Sequence, residues 1–206
     1  MKSVKKLDLS TEKLSYLMAF IVFLGSASSA FFSPDNRWMY WHFSRLGEGD
    51  TPSAYIFNAT VILCALLMVE LARRIRDDIW DTRNLFTNKS DLRSRANKLY
   101  MAFWGIAVCM TGIVIFPYDT HPNLHRLFGY SMLLVFIWII VMAPRLIRKF
   151  PRHLTVWSYA FIAIVIALYG VHISTQLINL LILEVLIGSF FFLWIAIFTR
   201  ALSKGK

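Results

Sequence analysis

The residues of this 206-residue chain that could do chemistry crowd into three short stretches. The first, FSPDNRWMYWHFSRLGEGDTPS (residues 32–53), carries His42, Ser44, Arg45, Glu48 and Asp50. The second, FPYDTHPNLHRLFGY (116–130), carries Asp119, His121 and His125, and the third, GVHISTQ (170–176), carries His172. Three neutral imidazoles with a carboxylate or water make a zinc site, and zinc-bound water becomes a nucleophile near neutral pH. His121, His125 and His172 are the candidate ligands, and Zn²⁺ is the candidate cofactor. Without a metal, His125 and His172 would move protons, with Asp119 and Ser44 as further catalytic candidates. The structural alternative has His125 and His172 bonded to loop carbonyls, and His42 and His121 solvated or interfacial.

A second group reads as binding rather than reaction. The fork of Arg45 suits a phosphate, and Asp50 and Asn58 lie in or beside the same stretch. Glu184 sits two turns inside an apolar run, where an ionisable group is costly unless it faces a polar cavity or a partner. Asn179 lies about one turn above it and Gln176 at the head of the run, so a polar stripe can enter from one end. The stripe is either the wall of a head-group pocket or an acid bonded to Ser or Asn of a neighbouring helix.

What must position these residues is a membrane bundle. The chain is 57% apolar, 16% aromatic and only 17% charged, with a mean hydropathy of +0.56. Six apolar runs, 14–32, 54–72, 99–116, 127–143, 154–171 and 177–199, are each near the ~20 residues that cross a bilayer as a helix. We therefore expect an all-α, six-helix transmembrane domain over residues 1–206. The first run follows Lys2, Lys5, Lys6 and Lys13 like a signal peptide, but its apolar part exceeds a typical signal core, so it reads as an anchor. Cys64 and Cys109 lie inside runs and form no metal or redox motif.

Basic residues set the orientation. Of 22 Lys and Arg, 19 fall in the amino-terminal tail, in 73–98, in 145–152 and in the carboxy-terminal tail; Arg37, Arg45 and Arg126 fall on the other side. By the positive-inside rule both termini are cytoplasmic, in the plasma membrane, and the histidine-bearing stretches face outward. His153 alone among the histidines is inside. Basic loops against anionic lipid account for the net charge of +10 without nucleic acid. Haem is disfavoured, because no two mid-membrane histidines face one another. The glycosylation patterns at Asn58 and Asn88 fall in a helix mouth and on the cytoplasmic side, and neither is expected to be used.

Local signals sharpen the outer loops. Thr51-Pro52 fits a cap and first helical residue. Pro117 closes the third helix, Asp119 or Thr120 would cap the fourth, and Pro122 sits in its first turn. His121 would then stand at the helix mouth and His125 one turn on. The segment 73–98 is expected to be a solvated basic loop rather than a surface helix.

The string His42-Phe43-Ser44-Arg45-Leu46-Gly47, with Ser53 and Phe57-Asn58, resembles a signature of the prokaryotic membrane family catalogued as domain of unknown function 998. Phe116-Pro117 with His125 resembles its second signature. More distantly, the order of parts is similar to the Frag-DRAM-Sfk six-helix family, whose Ser-Asp-x-Gly motif has its acidic position occupied here by Arg45. The first resemblance implies a fold and no settled activity; the second implies work connected with lipids. A resemblance in residue types to metal-dependent membrane hydrolases such as alkaline ceramidases prompts the zinc reading, although that family has a different order of motifs.

The expectation is therefore an outward polar pocket with a lipid-linked role, in binding, remodelling or organising membrane lipid. The alternative is a metal- or His-dependent lipid hydrolase or acyltransferase. A small transporter or a subunit of a membrane complex is the third reading; a transporter would need a polar path reaching Glu184 from both sides. Membrane lipid is the expected partner, with a second copy or another membrane protein besides, and nucleic acid is not.

Overall fold

Caps and prolines delimit the helices. Ser10 Oγ accepts the Lys13 N–H at 3.3 Å and starts α1, Thr11–Phe31. Thr51 Oγ1 accepts from Ala54 N–H at 3.1 Å, and Pro52 is the first residue of α2, Pro52–Asp81. α3 spans Lys89–Ile115, α4 Pro122–Leu146, α5 Arg152–Thr175 and α6 Leu180–Ser203. Two short 3-10 helices, Arg37–Tyr40 and Phe43–Gly47, lie between α1 and α2. This computed structural model describes residues 9–34, 36–81, 89–146, 152–175 and 179–203. Among them are six helices long and apolar enough to cross a membrane, and no strand. The chain is an all-α integral membrane protein, as expected.

Three local expectations are corrected. Neither Asp119 nor Thr120 supplies the cap of α4. His121 occupies that position, its carbonyl accepting the His125 N–H at 3.0 Å, while the Thr120 hydroxyl turns back to the Pro117 carbonyl at 3.4 Å. The stretch 170–175 is not a connection, because α5 continues through it and His172 stands in its last turn. Gln176 and the first two residues of the expected sixth span, 177 and 178, lie outside the described residues.

The third correction concerns 73–98. α2 is 30 residues long, about 45 Å at 1.5 Å per residue, well beyond the ~30 Å of hydrocarbon. Instead of a solvated loop, residues 73–81 and 89–98 continue α2 and α3 as a helical pair, while 82–88 lie outside the described residues. Leu71, Ile75 and Ile79 recur every four residues and are buried in one cluster with Ala96 and Leu99. The charges decorate the other faces: Glu70 meets Arg73 at 2.7 Å and Arg74 at 2.6 Å, and Arg73 meets Asp77 at 3.2 Å. Arg76 lies 4.7 Å over the Tyr100 ring, tying the pair together.

Each helix packs on its neighbour in sequence, and α6 returns against α1 and α2. Close approach is bought with small residues: a Cβ on Gly25 would sit 2.1 Å from Thr60 Oγ1, and one on Gly112 would sit 2.5 Å from the Phe128 ring. Between the helices, Ser15 pairs with Thr199 at 3.0 Å and Trp194 Nε1 donates to Ser158 Oγ at 2.7 Å. Arg200 lies 3.9 Å from Glu12, so the start of α1 and the end of α6 share one end of the bundle. The 36–51 connection, the 116–121 connection and the head of α6 share the other.

Candidate functional site

The second 3-10 helix, Phe43–Gly47, is held from every side at the histidine-bearing end. Asn58 of α2 donates Nδ2–H to the Gly47 carbonyl at 3.1 Å. Ser53 donates to the Leu46 carbonyl at 3.1 Å, and Ser29 of α1 donates to the Ser53 carbonyl at 2.9 Å. Gly47 has no room for a side chain, since its Cβ would stand 2.6 Å from Asn58 Oδ1 and 2.8 Å from Phe57 Cδ1. From α6, the Glu184 carboxylate accepts the backbone N–H of Phe43 and faces that of Ser44. A carboxylate satisfies the unpaired amides at such a helix start well. Asn179 does similar work higher up, donating to the Met39 carbonyl at 2.7 Å while its Oδ1 accepts from Leu181 N–H at 3.2 Å. The stripe of α6 thus grips the first connection.

This frame presents Ser44. His42 has extended backbone angles, φ −150° and ψ 154°, and immediately precedes the 3-10 turn that carries Ser44. Ser44 Oγ is 3.0 Å from His42 Nδ1 and 3.0 Å from His125 Nε2. His125 Nδ1 is 3.0 Å from the Phe116 carbonyl oxygen. A carbonyl only accepts, so a neutral His125 carries its hydrogen on Nδ1 and its Nε2 accepts from the Ser44 hydroxyl. Pro117, which has no N–H to continue α3, leaves that carbonyl at the helix end where His125 can reach it.

The remaining neighbours are charged or aromatic. Arg45 and Glu48 lie three residues apart in and after the 3-10 turn and approach to 3.8 Å. Glu48 also stands 3.5 Å from His42 Nε2. Arg45 stacks 4.7 Å over Trp41. Tyr118 packs its ring 4.7 Å from that of His42 and 5.8 Å from that of His125. His42 is 6% exposed and His125 9%. Burial pushes the His42 imidazole from 6.5 down to about 4, and the nearby His125 and Arg45 add to it. Burial likewise raises Glu48 above the usual carboxylate range; Arg45 opposes this and Asp119 reinforces it.

Of the residues named from sequence, Ser44, Arg45, Asn58, Asp119, His125 and Glu184 come to this end around one segment. Asp50 accepts from the Tyr55 hydroxyl. His121 is exposed with its Nδ1 3.0 Å from Thr120 Oγ1. His172 lies in α5 with its ring 6.2 Å from that of Tyr169. Among the described residues no three His, Cys, Asp or Glu side chains are grouped as metal ligands. His42 and Glu48 were legible as residue types, but their place beside Ser44 was not. The two-residue spacing of His42 and Ser44 was the available signal for the first. The signature that joins Phe116-Pro117 to His125, and the alternative that gives His125 a loop carbonyl, pointed toward the Phe116 carbonyl, whereas nothing in the sequence pointed to Tyr118.

Six spans and a polar cluster at one end define a multi-pass membrane protein with a Ser/His site. The chain belongs to the DUF998 family, described as a protein of unknown function, whose family model matches residues 17–201. No curated protein and no solved structure matches the chain.

Proposed function

We propose that the protein is an acyl-transfer enzyme of the outer membrane surface, with Ser44 as nucleophile and His125 as general base. The observation that carries this reading is the series Ser44 Oγ, His125 Nε2 and His125 Nδ1, Phe116 O, each step 3.0 Å. A nucleophile bonded to a base, and a base oriented by a third group, is the general arrangement of activated serine. In the reaction Ser44 Oγ attacks an acyl carbonyl carbon while its proton passes to His125 Nε2. The alcohol or amine then leaves with that proton, and water or a second acceptor takes the acyl group from Ser44.

The substrate class is an acylated membrane lipid. The site stands at the end of the spans, where head groups lie, and exposed Met39, Tyr40, Trp41 and Tyr55 surround it. Arg45 supplies a cation beside the serine for a phosphate. The excess of Lys and Arg in the connections at the opposite end supports cytoplasmic termini and a site facing outward from the plasma membrane.

Reaction with a fluorophosphonate tests this on the full chain in lipid nanodiscs. Labelling is expected at Ser44, absent in Ser44→Ala, and slower by about 10²–10⁴ in His125→Ala. A second reading, head-group binding without catalysis, is favoured by the near-complete cover of both imidazoles. It predicts no labelling together with phospholipid binding that weakens in Arg45→Ala.

A further inference from the structure

Two atoms at the site lack a hydrogen-bond partner although both are shut off from water, His42 Nε2 and Glu48 Oε1. They face each other at 3.5 Å. The bonds on the far side of the ring decide what Nε2 can be. The single hydrogen of Ser44 goes to His125 Nε2, because His125 Nδ1–H is held by the Phe116 carbonyl. His42 Nδ1, 3.0 Å from the same Ser44 oxygen, must therefore be the donor in that contact. A neutral His42 then turns a bare lone pair at Nε2 toward a carboxylate oxygen. Two buried acceptors at that distance repel, and a proton on either one relieves the repulsion.

The surroundings decide which side holds it. A second proton on His42 would place an imidazolium in a covered site already facing Arg45 and His125, while a proton on Glu48 leaves both groups neutral. Arg45 Nη1 is 3.8 Å from the other Glu48 oxygen. Among the described residues, Asp119 and Tyr118 of the α3–α4 connection, His125 of α4 and Glu184 of α6 are the other titratable groups around the pair. Asp119 adds negative charge near Glu48, and so favours its acid form.

We infer that Glu48 is a neutral carboxylic acid whose Oε1–H faces His42 Nε2, a positioning residue whose protonation sets the His42 tautomer and thereby which imidazole takes the Ser44 proton. With Glu48 protonated, His42 donates to Ser44 and the serine hydrogen can pass only to His125. When Glu48 loses its proton, the carboxylate draws the His42 hydrogen to Nε2. The Nδ1 lone pair then faces Ser44, and two bases compete for one hydroxyl. The catalytic consequence rests on the acyl-transfer reading; the tautomer assignment does not.

The test is ¹⁵N NMR of histidine-labelled full chain in lipid nanodiscs, where only five histidines resonate. At neutral pH His42 is expected as the Nδ1–H tautomer, converting to Nε2–H as the pH is raised through the titration of Glu48. Glu48→Gln keeps a neutral N–H donor at this position. It is expected to hold Nδ1–H across the whole range and to remove the matching inflection from the pH profile of fluorophosphonate labelling. An imidazolium at His42 near neutral pH, or an Nε2–H tautomer there, overturns the inference. The titration of the unaltered chain decides the matter even where the variant fails to fold. If the tautomers behave as described and Ser44 is not labelled, the acyl-transfer reading fails and the Glu48 assignment stands.

Discussion

His42 is a histidine kept neutral by its surroundings, and its effect on stability has a definite sign. Its folded value of about 4 lies below the ordinary 6.5, so the unfolded chain takes up the proton first on acidification. The stabilisation it contributes is fully present above 6.5 and is lost as the pH falls from there through about 4. Glu48 carries the opposite sign: raised above 4.5 when folded, it contributes below that value and ceases to as pH climbs through its folded one. Amide hydrogen exchange over residues 42–48, corrected for intrinsic rates, is expected to lose protection as pH drops between these His42 limits. His42→Gln should flatten that loss. The serine and histidines were legible as chemistry from their types alone. Their pairing was not, because His42, Ser44 and His125 meet only when two connections separated by α2 and α3 come to one end of the bundle.

At the scale of elements, the second 3-10 helix depends on groups supplied by other helices. Five residues are too few to stabilise themselves by internal hydrogen bonds, and here α2 and α6 supply the missing partners. Glu184 is the clearest case, a carboxylate from α6 taking the amide of Phe43. Its removal in Glu184→Ala leaves that amide without its acceptor, at a cost of about 1–3 kcal/mol. Faster hydrogen exchange confined to 43–47, with the rest of the bundle unchanged, is the expected result; protection equal to the parent chain would show that the clamp carries no weight. The cost of placing an acid inside an apolar run signalled from sequence that Glu184 faces a polar cavity or a partner. That the partner is backbone was not visible, since main-chain amides look alike in any sequence. The overrun of α2 was also missed: the periodic Leu71, Ile75 and Ile79 were hidden among arginines that pair with Glu70 and Asp77.

For the whole molecule, the arrangement makes a claim about sidedness. Cys64 and Cys109 are buried, so introduced cysteines can report against a low background. Asp50→Cys is expected to react with an impermeant maleimide added outside intact cells, and Ser94→Cys only after the membrane is opened; the reverse pattern would place the proposed site in the cytoplasm. The number of spans, the helical class and the shared end of the termini follow from sequence alone, because lipid demands that each crossing satisfy its own backbone bonds and helices of ~20 apolar residues do so locally. Which polar residues meet could be decided only by the tertiary structure. Contacts such as Ser44 with His125 or Phe43 with Glu184 join positions 81 and 141 residues apart, and their geometry depends on how the helices pack around Gly25, Gly47 and Gly112, where a single added carbon would hold the backbones apart.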